Sequence, residues 1–292
     1  MRIYVTEHGR LGNQILQYYL LRTWFPKDRI CFFGFEDLEK TFDLENVLFI
    51  PNRIHYWWGM HRKIQWVRLL YRLRLISEIR VHGSELVTIE KGLFGGFAYL
   101  SLDALLFPNQ LSLSQFRFNG KTKQSVRKTA DDFLNTVNAS AEITAFLHVR
   151  RGDYVFWPNK QYPAVLPLSW YRTAITALLE QQPEIEVLVI LTDDLPYVED
   201  IKDELLSDLP LRSEVSTLGL AEDLCIMQQL PYGILSGSTF SWCAVHLGAI
   251  ERRLSQAVPK ELFIAPKYWH NYRLGQWPEV ASLRSDLLQY MT

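Results

Sequence analysis

From residue 143 onward the chain alternates short apolar runs with amphipathic stretches: 143–149, 187–191, 233–235 and 263–265 read as strands, and 168–179, 222–230 and 240–249 as helices. Alternation at this spacing predicts a mostly parallel sheet covered on both faces. Ligands in such sheets bind beyond the carboxyl ends of the strands. That rule singles out the residues at the exit of each run. His148-Val149-Arg150-Arg151-Gly152-Asp153-Tyr154 closes the first, Asp193-Asp194 comes directly after the second, and Ser236-Gly237-Ser238-Thr239-Phe240-Ser241 after the third.

The first half is less regular. Residues 3–5 read as a strand, Gly9-Arg10-Leu11-Gly12-Asn13-Gln14 as a tight turn, and 15–24 as a helix ended by Pro26. A strand is expected at 29–35, and 36–52 shows no clear helical caps. Residues 61–80 carry Arg62, Lys63, Arg68, Arg72, Arg74 and Arg80 against Glu78, with Ile64, Val67, Leu70 and Leu73 at helical spacing. This predicts a basic amphipathic helix. It serves either as a solvated helix with cationic stems laid over the core or as a surface for peripheral contact with a membrane or anionic partner; Trp57, Trp58 and Trp66 suit both. Residues 86–89 read as a strand, 92–99 as a glycine and aromatic loop, and 101–107 and 125–138 as helical. The halves are expected to divide near residue 140.

Composition narrows the class. Over 292 residues, 31 Lys and Arg against 32 Asp and Glu leave a net charge of −1. There is no global field for gripping nucleic acid, and 48 % apolar residues exclude a wholly disordered chain. Cys31, Cys225 and Cys243 are too few and too scattered for a disulfide framework or zinc cluster, which predicts free thiols. The chain opens Met1-Arg2-Ile3-Tyr4-Val5 without a secretory pattern and holds no apolar run long enough to span a bilayer, so a cytoplasmic protein is expected. Asp-x-Asp and H-E-x-x-H patterns are missing, so no metal is expected. Arginine and helix ends must then supply charge to any departing diphosphate.

The residue types suggest specific chemistry. A guanidinium is a planar fork of donors suited to phosphate oxygens, so Arg150 and Arg151 at a strand exit fit a diphosphate, with Asp153 orienting an arginine or bonding a hydroxyl. The same set also reads as an internal salt-bridge corner. The Gly9–Gln14 turn lacks the third glycine of a dinucleotide fingerprint and the lysine of a P-loop; it is either a structural turn or an acceptor or phosphate loop offering the amides of Asn13 and Gln14. The serine-rich turn holds phosphate or caps a helix. Asp193 and Asp194 either cap a helix or bind a ribose, guanine or sugar hydroxyl. His246, inside an apolar helix, reads as a core histidine.

Taken in order, Gly9-Arg10-Leu11-Gly12-Asn13-Gln14 with Gln17-Tyr18, the 148–154 run, Leu191-Thr192-Asp193-Asp194, and Glu222-Asp223-Leu224 leading to Ser238-Thr239-Phe240-Ser241-Trp242 resemble the alpha-1,2-fucosyltransferases of glycosyltransferase family 11. The resemblance implies an α/β, GT-B-like fold of two Rossmann-like lobes with mostly parallel sheets. Residues 1–140 would form an acceptor-side lobe and 141–292 a nucleotide-sugar lobe whose last helix packs back on the first. It implies GDP-β-L-fucose as donor, a galactose-terminated glycan as acceptor, inversion to an α-1,2 linkage, and no cofactor or divalent metal. Arg150, Asp153 and Asn13 would be catalytic; Gly12, His148, Arg150, Arg151, Asp193, Ser238, Thr239, Phe240 and Ser241 would contact the donor. The general base stays open among Asp153, Asp193 and His148. Cys243 departs from the family pattern, where a second tryptophan often stands. Glycan biosynthesis at the inner face of the plasma membrane is the implied setting. Another nucleotide-sugar transferase, or a glycan-binding protein with tryptophan platforms, remain the alternatives.

Overall fold

A computed structural model describes residues 2–6, 9–50, 69–70, 73, 75, 77–82, 85–90, 97–100, 116, 118–255, 260–267 and 285–292. The chain divides into two compact units, 1–109 with 117–123, and 110–116 with 124–292. In the first, β1 (Arg2–Thr6) leads through Gly9 and Arg10 into α1 (Leu11–Trp24), then β2 (Arg29–Phe33), α2 (Glu36–Thr41), β3 (Phe42–Asp43), β4 (Val47–Ile50), β5 (Ser77–His82), β6 (Glu85–Glu90), β7 (Phe97–Leu100) and β8 (Lys121–Thr122). Its sheet runs β4-β2-β1-β7-β5-β6, parallel except for the β5–β6 hairpin, and β3 pairs with β8.

Two expectations change here. The helix expected over 61–80 does not reach its end: 77–82 is β5, paired with β7 on one side and β6 on the other. Ile79 and Val81 alternate with polar residues, which is the period of a strand. The remainder of that expected helix, apart from residues 69, 70, 73 and 75, lies outside the described residues, as do Trp57, Trp58, Trp66 and 101–107. The loop expected over 92–99 instead ends in β7, which supplies the neighbour of β1.

The second unit opens with α3 (Gln124–Thr136) and continues β9 (Thr144–Val149), a 3-10 turn over Gly152–Val155, β10 (Pro158–Asn159), β11 (Tyr162–Pro163), α4 (Leu168–Gln181), β12 (Val187–Thr192), α5 (Leu195–Leu206), β13 (Arg212–Val215), α6 (Leu220–Gln229), β14 (Tyr232–Ile234), α7 (Thr239–Leu254), β15 (Leu262–Pro266) and β16 (Leu288–Met291). The division thus falls ahead of α3 rather than near 140, because α3 packs on α6 of its own unit. The last described strand, β16, pairs parallel with β15, and the segment before it, 268–284, where a last helix would fall, lies outside the described residues. No helix among the described residues is long and apolar enough to cross a membrane.

All pairings in the second sheet are parallel, in the order β13-β12-β9-β14-β15-β16. Counted along the chain this is 3-2-1-4-5-6, the Rossmann order, so the direction of winding reverses between β9 and β14. β9 is the hinge of the layout and is buried throughout. Its side chains alternate: Ala145, Leu147 and Val149 join Ile175 and Leu178 of α4 and Val198 of α5 in one core, while Phe146 lies against Phe263, and His148 against Phe240.

On that other face α6 and α7 cross so closely that Gly248 leaves no room for a side chain. A Cβ there would meet the backbone of Gln228, with the carbonyl carbon and Cα at 2.8 Å. Arg252 fixes the crossing by donating to the Gln228 carbonyl at 2.5 Å and to Glu261 at 2.6 Å. Backbone cannot rotate aside as a side chain does, so Gly248→Ala is expected to cost about 1–3 kcal/mol of stability. Urea denaturation followed by circular dichroism checks this; an unchanged midpoint would mean that the helices separate freely.

Candidate functional site

β9 and β12 are in register to their last residues, Val149 opposite Thr192, so 150–151 and 193–194 emerge side by side from the sheet. The Thr192 hydroxyl clamps this exit: it donates to the Val149 carbonyl at 2.9 Å and accepts the Asp194 N–H at 3.0 Å. Beyond the clamp the arginines meet three carboxylates. Arg150 Nη1 donates to Asp193 Oδ2 at 2.5 Å and Nη2 to Asp153 Oδ1. The Arg151 N–H donates to Asp193 Oδ1 at 2.7 Å, and its Nε to Asp194 Oδ2 at 3.0 Å.

Asp194 also caps α5 by accepting the Tyr197 N–H at 3.3 Å, so of the two readings of the aspartate pair the capping one belongs to Asp194, while Asp193 joins the arginine turn. Each guanidinium lies over an aromatic face, Arg150 5.1 Å from the Tyr154 ring centroid and Arg151 3.4 Å from that of Tyr197. Gly152 makes the turn possible. It sits at φ +22°, and a Cβ there would strike the Asp193 carboxylate.

His148 takes a different place from the arginines. Its ring is buried, with Nδ1 2.8 Å from the Ser236 hydroxyl across the β9–β14 crossover. Burial, aided by the charge of Arg150, lowers its pKa to about 3, so the ring is neutral. The serine-rich turn after β14 is similarly self-satisfied. Ser238 caps α7 by accepting the Phe240 N–H at 3.3 Å, and the Ser241 hydroxyl donates to the carbonyls of Ser238 at 3.2 Å and Ser236 at 3.5 Å. Thr239 and Phe240 begin α7, so its positive end opens at the carboxyl edge of β14, beside β9. Cys243 lies wholly buried further along α7, its thiol pushed well up by burial.

Gly12 and Asn13 belong to the first unit, in the first turn of α1 just beyond β1, which lies between β2 and β7. Gly9 turns the chain at φ +85°, with the Asn13 side chain folded so closely over it that a Cβ would collide with the amide. The Gln14 amide, which the sequence offers for ligands, is spent internally: it donates to the Gly9 carbonyl at 3.2 Å and accepts the Leu38 N–H at 2.9 Å. In the second unit the structure gathers Arg150, Arg151, Asp153 and Asp193 into one cluster and joins His148 to the serine turn.

Tyr171, which sequence reasoning passes over, lies buried under that cluster. Its hydroxyl is within electrostatic reach of Arg151, Asp193 and the Arg150 backbone, makes no hydrogen bond of good geometry, and is kept protonated by burial. The signal that could have found it is slight: a tyrosine next to Trp170 in the first turn of the helix following the arginine loop.

Among the described residues, His148, His246 and Asp223 contribute to the response to acid. His148 and His246 are both held near 3 by burial; His246 is wedged on Trp242, 2.6 Å from its carbonyl and 2.7 Å from the Ser285 hydroxyl. Asp223, which accepts from the Ser216 hydroxyl at 2.6 Å, is pushed up to about 7 by burial. Each histidine favours the fold above its unfolded value of 6.5 and loses that contribution as pH falls; Asp223, raised from 3.8, works the opposite way over 4–7. Between about pH 4 and 6 the unfolded chain therefore binds two extra protons at the histidines and the folded chain one at Asp223, so these groups make stability rise with pH by about 1 kcal/mol per unit. Asp223→Asn removes the opposing proton and should double that contribution, as read from urea midpoints across the range; equal slopes would place Asp223 outside the titration.

Residues 114–258, about half of the chain, match glycosyl transferase family 11. The O-antigen biosynthesis glycosyltransferase WbnK of Escherichia coli is 27 % identical over 130 residues, spanning 43 % of this chain and 39 % of that protein. The match covers about two fifths of the length of that curated relative. Among solved structures, a glycosyl transferase family 9 protein from Veillonella parvula superposes with a TM-score of 0.51 at 14 % identity, covering 99 % of this chain and 86 % of its own. POFUT1 in complex with GDP gives 0.50 at 12 %, covering 90 % and 98 %. These likenesses show the fold, a GT-B-like pair of α/β layers. The arginine turn, the aspartate pair and the serine-capped helix all fall within the segment that is similar to glycosyl transferase family 11.

Proposed function

We propose that the protein transfers L-fucose from GDP-β-L-fucose to O2 of a terminal galactose in a glycan, inverting the anomeric centre to give an α-1,2 linkage. The observation that carries the reading is Arg150, held by Asp193 and Asp153 at the carboxyl end of β9 where the sheet changes its winding. The family 11 match supports a glycosyltransferase, and a protein similar in fold, POFUT1, is complexed with GDP-fucose. The second unit then binds the donor.

In this reading the acceptor O2 forms a bond to the fucose anomeric carbon as the bond from that carbon to the β-phosphate oxygen breaks, through an oxocarbenium-like transition state. The electron pair leaves with GDP. Arg150, Arg151 and the positive end of α7 meet the charge that develops on the departing diphosphate, without a metal. The O2 proton needs a base. His148 is buried and weakly basic, and Asp193 already receives both Arg150 and the Arg151 N–H. Asp153, with its side chain 66 % exposed, is the carboxylate able to reach an incoming hydroxyl.

Transfer from GDP-fucose to a panel of galactosides, with EDTA present and the linkage read by NMR, tests the proposal. An α-1,2-fucosylated product is expected. Arg150→Ala should lower kcat/KM by about 10²- to 10³-fold, the cost typical of losing one anion-stabilising donor. Near-full turnover in that variant would remove Arg150 from the chemistry, and equal stabilisation of the protein by UDP and GDP would argue for a different donor.

A further inference from the structure

We propose that Phe156 and Trp157 form the stacking platform for the acceptor sugar, a galactopyranoside, beside the arginine turn; this rests on reading the chain as a glycosyltransferase. The other large apolar side chains left exposed among the described residues are Leu48, Leu69, Leu73, Leu195, Leu254 and Tyr290, no two of them adjacent in the chain. Phe156 and Trp157 differ, being adjacent, aromatic, and 62 % and 40 % exposed. They also lie at the cluster itself, three and four residues after Asp153.

The platform is braced from below. The Phe156 and Trp157 N–H groups both donate to the Asp153 carbonyl, at 3.1 and 3.0 Å. The Ala164 N–H closes the loop by donating to the carbonyls of Tyr154 at 3.1 Å and Trp157 at 2.8 Å, while β10 and β11 pair at its tip. Exposed rings on a loop tied at its base are presented rather than shed into solvent, and holding them in place costs little further entropy on binding.

The rings adjoin the arginine turn. Arg150 lies 5.1 Å from the centroid of Tyr154, and Tyr154 lies 5.5 Å from Trp157 at an interplanar angle of 34°. Trp157 is thus one aromatic neighbour removed from the guanidinium that meets the leaving diphosphate, close enough for an acceptor sugar to lie beside the transferred one. A galactopyranose suits these rings. Its axial C4 hydroxyl leaves the C3, C4 and C5 hydrogens together on one apolar face, which stacks on an aromatic ring, while its hydroxyl rim meets polar groups. Polar groups are close by: Asp153, whose backbone carbonyl accepts both N–H groups and whose side chain is exposed, and Lys160, whose ammonium lies 5.5 Å over the Phe156 ring.

The experiment compares wild type with Trp157→Ala, Phe156→Ala and Trp157→Phe, measuring galactoside KM, GDP affinity and indole fluorescence during titration with methyl β-galactoside. Truncating either ring should raise the acceptor KM by about tenfold while kcat and GDP affinity stay within about twofold, and Trp157→Phe should keep KM near wild type because a ring remains. A saturable fluorescence change with galactoside, present in wild type and absent in Trp157→Phe, should accompany this. That fluorescence readout does not need transfer, so its survival in a protein that fails to use GDP-fucose would uphold the platform while the donor reading fell. Unchanged KM and fluorescence in the alanine variants would overturn the proposal, as would loss of GDP affinity or of binding to anionic vesicles in place of the galactoside effect.

Discussion

The guanidinium of Arg150 shared between Asp193 and Asp153 is the contact around which the second unit is arranged. It requires that β9 and β12 end in register, that Thr192 hold both exits together, and that residue 152 carry no side chain to displace the Asp193 carboxylate. None of these demands concerns the arginine alone. A cation at the end of a buried strand needs counter-charges to stay ordered, yet those carboxylates also oppose the binding of a phosphate. The balance lies in their exposure. Asp153 is largely exposed and Asp193 partly so, and solvent screens these ion pairs, whereas a fully buried pair would hold Arg150 against any ligand.

Behind this charged cluster lies a hydrogen-bonded backing. His148 and Ser236 bond across the point where the sheet reverses its winding, and the serine turn satisfies its own hydroxyls before α7 begins. A protonated His148 would add a second cation under Arg150 and push it from the sheet; burial keeps the ring neutral and makes it a spacer. The consequence for function is preorganisation. Donors aimed in advance at the place where charge develops need no rearrangement at the moment of reaction, and that is where electrostatic stabilisation is most effective.

The second unit was far more legible than the first. Strands at β9, β12, β14 and β15 are apolar because both faces are covered, and a continuous apolar run is visible in any sequence. β13, at the sheet edge, carries Arg212, Ser213 and Glu214 and offers no such run; β16, at the other edge, was equally hidden. α5 escaped notice although Asp194 caps it, because a cap and a ligand-binding aspartate look alike until the partner is seen. In the first unit, residues 77–82 read as the tail of a basic helix because Arg80 continues a cationic series, and only pairing with β6 and β7 makes them a strand.

By itself the sequence determined the parallel α/β class, the strand exits where chemistry gathers and the family that the motifs there resemble, since apolar runs and residue types are local properties. The tertiary structure decided which carboxylate holds which arginine, that His148 and Gln14 are spent on the framework, that Tyr171 lies under the cluster, and that Phe156 and Trp157 stand exposed beside it. These depend on register between strands far apart in the chain and on how much water each side chain retains. Neither quantity is written in any one segment; both exist only once β9 has neighbours on either side.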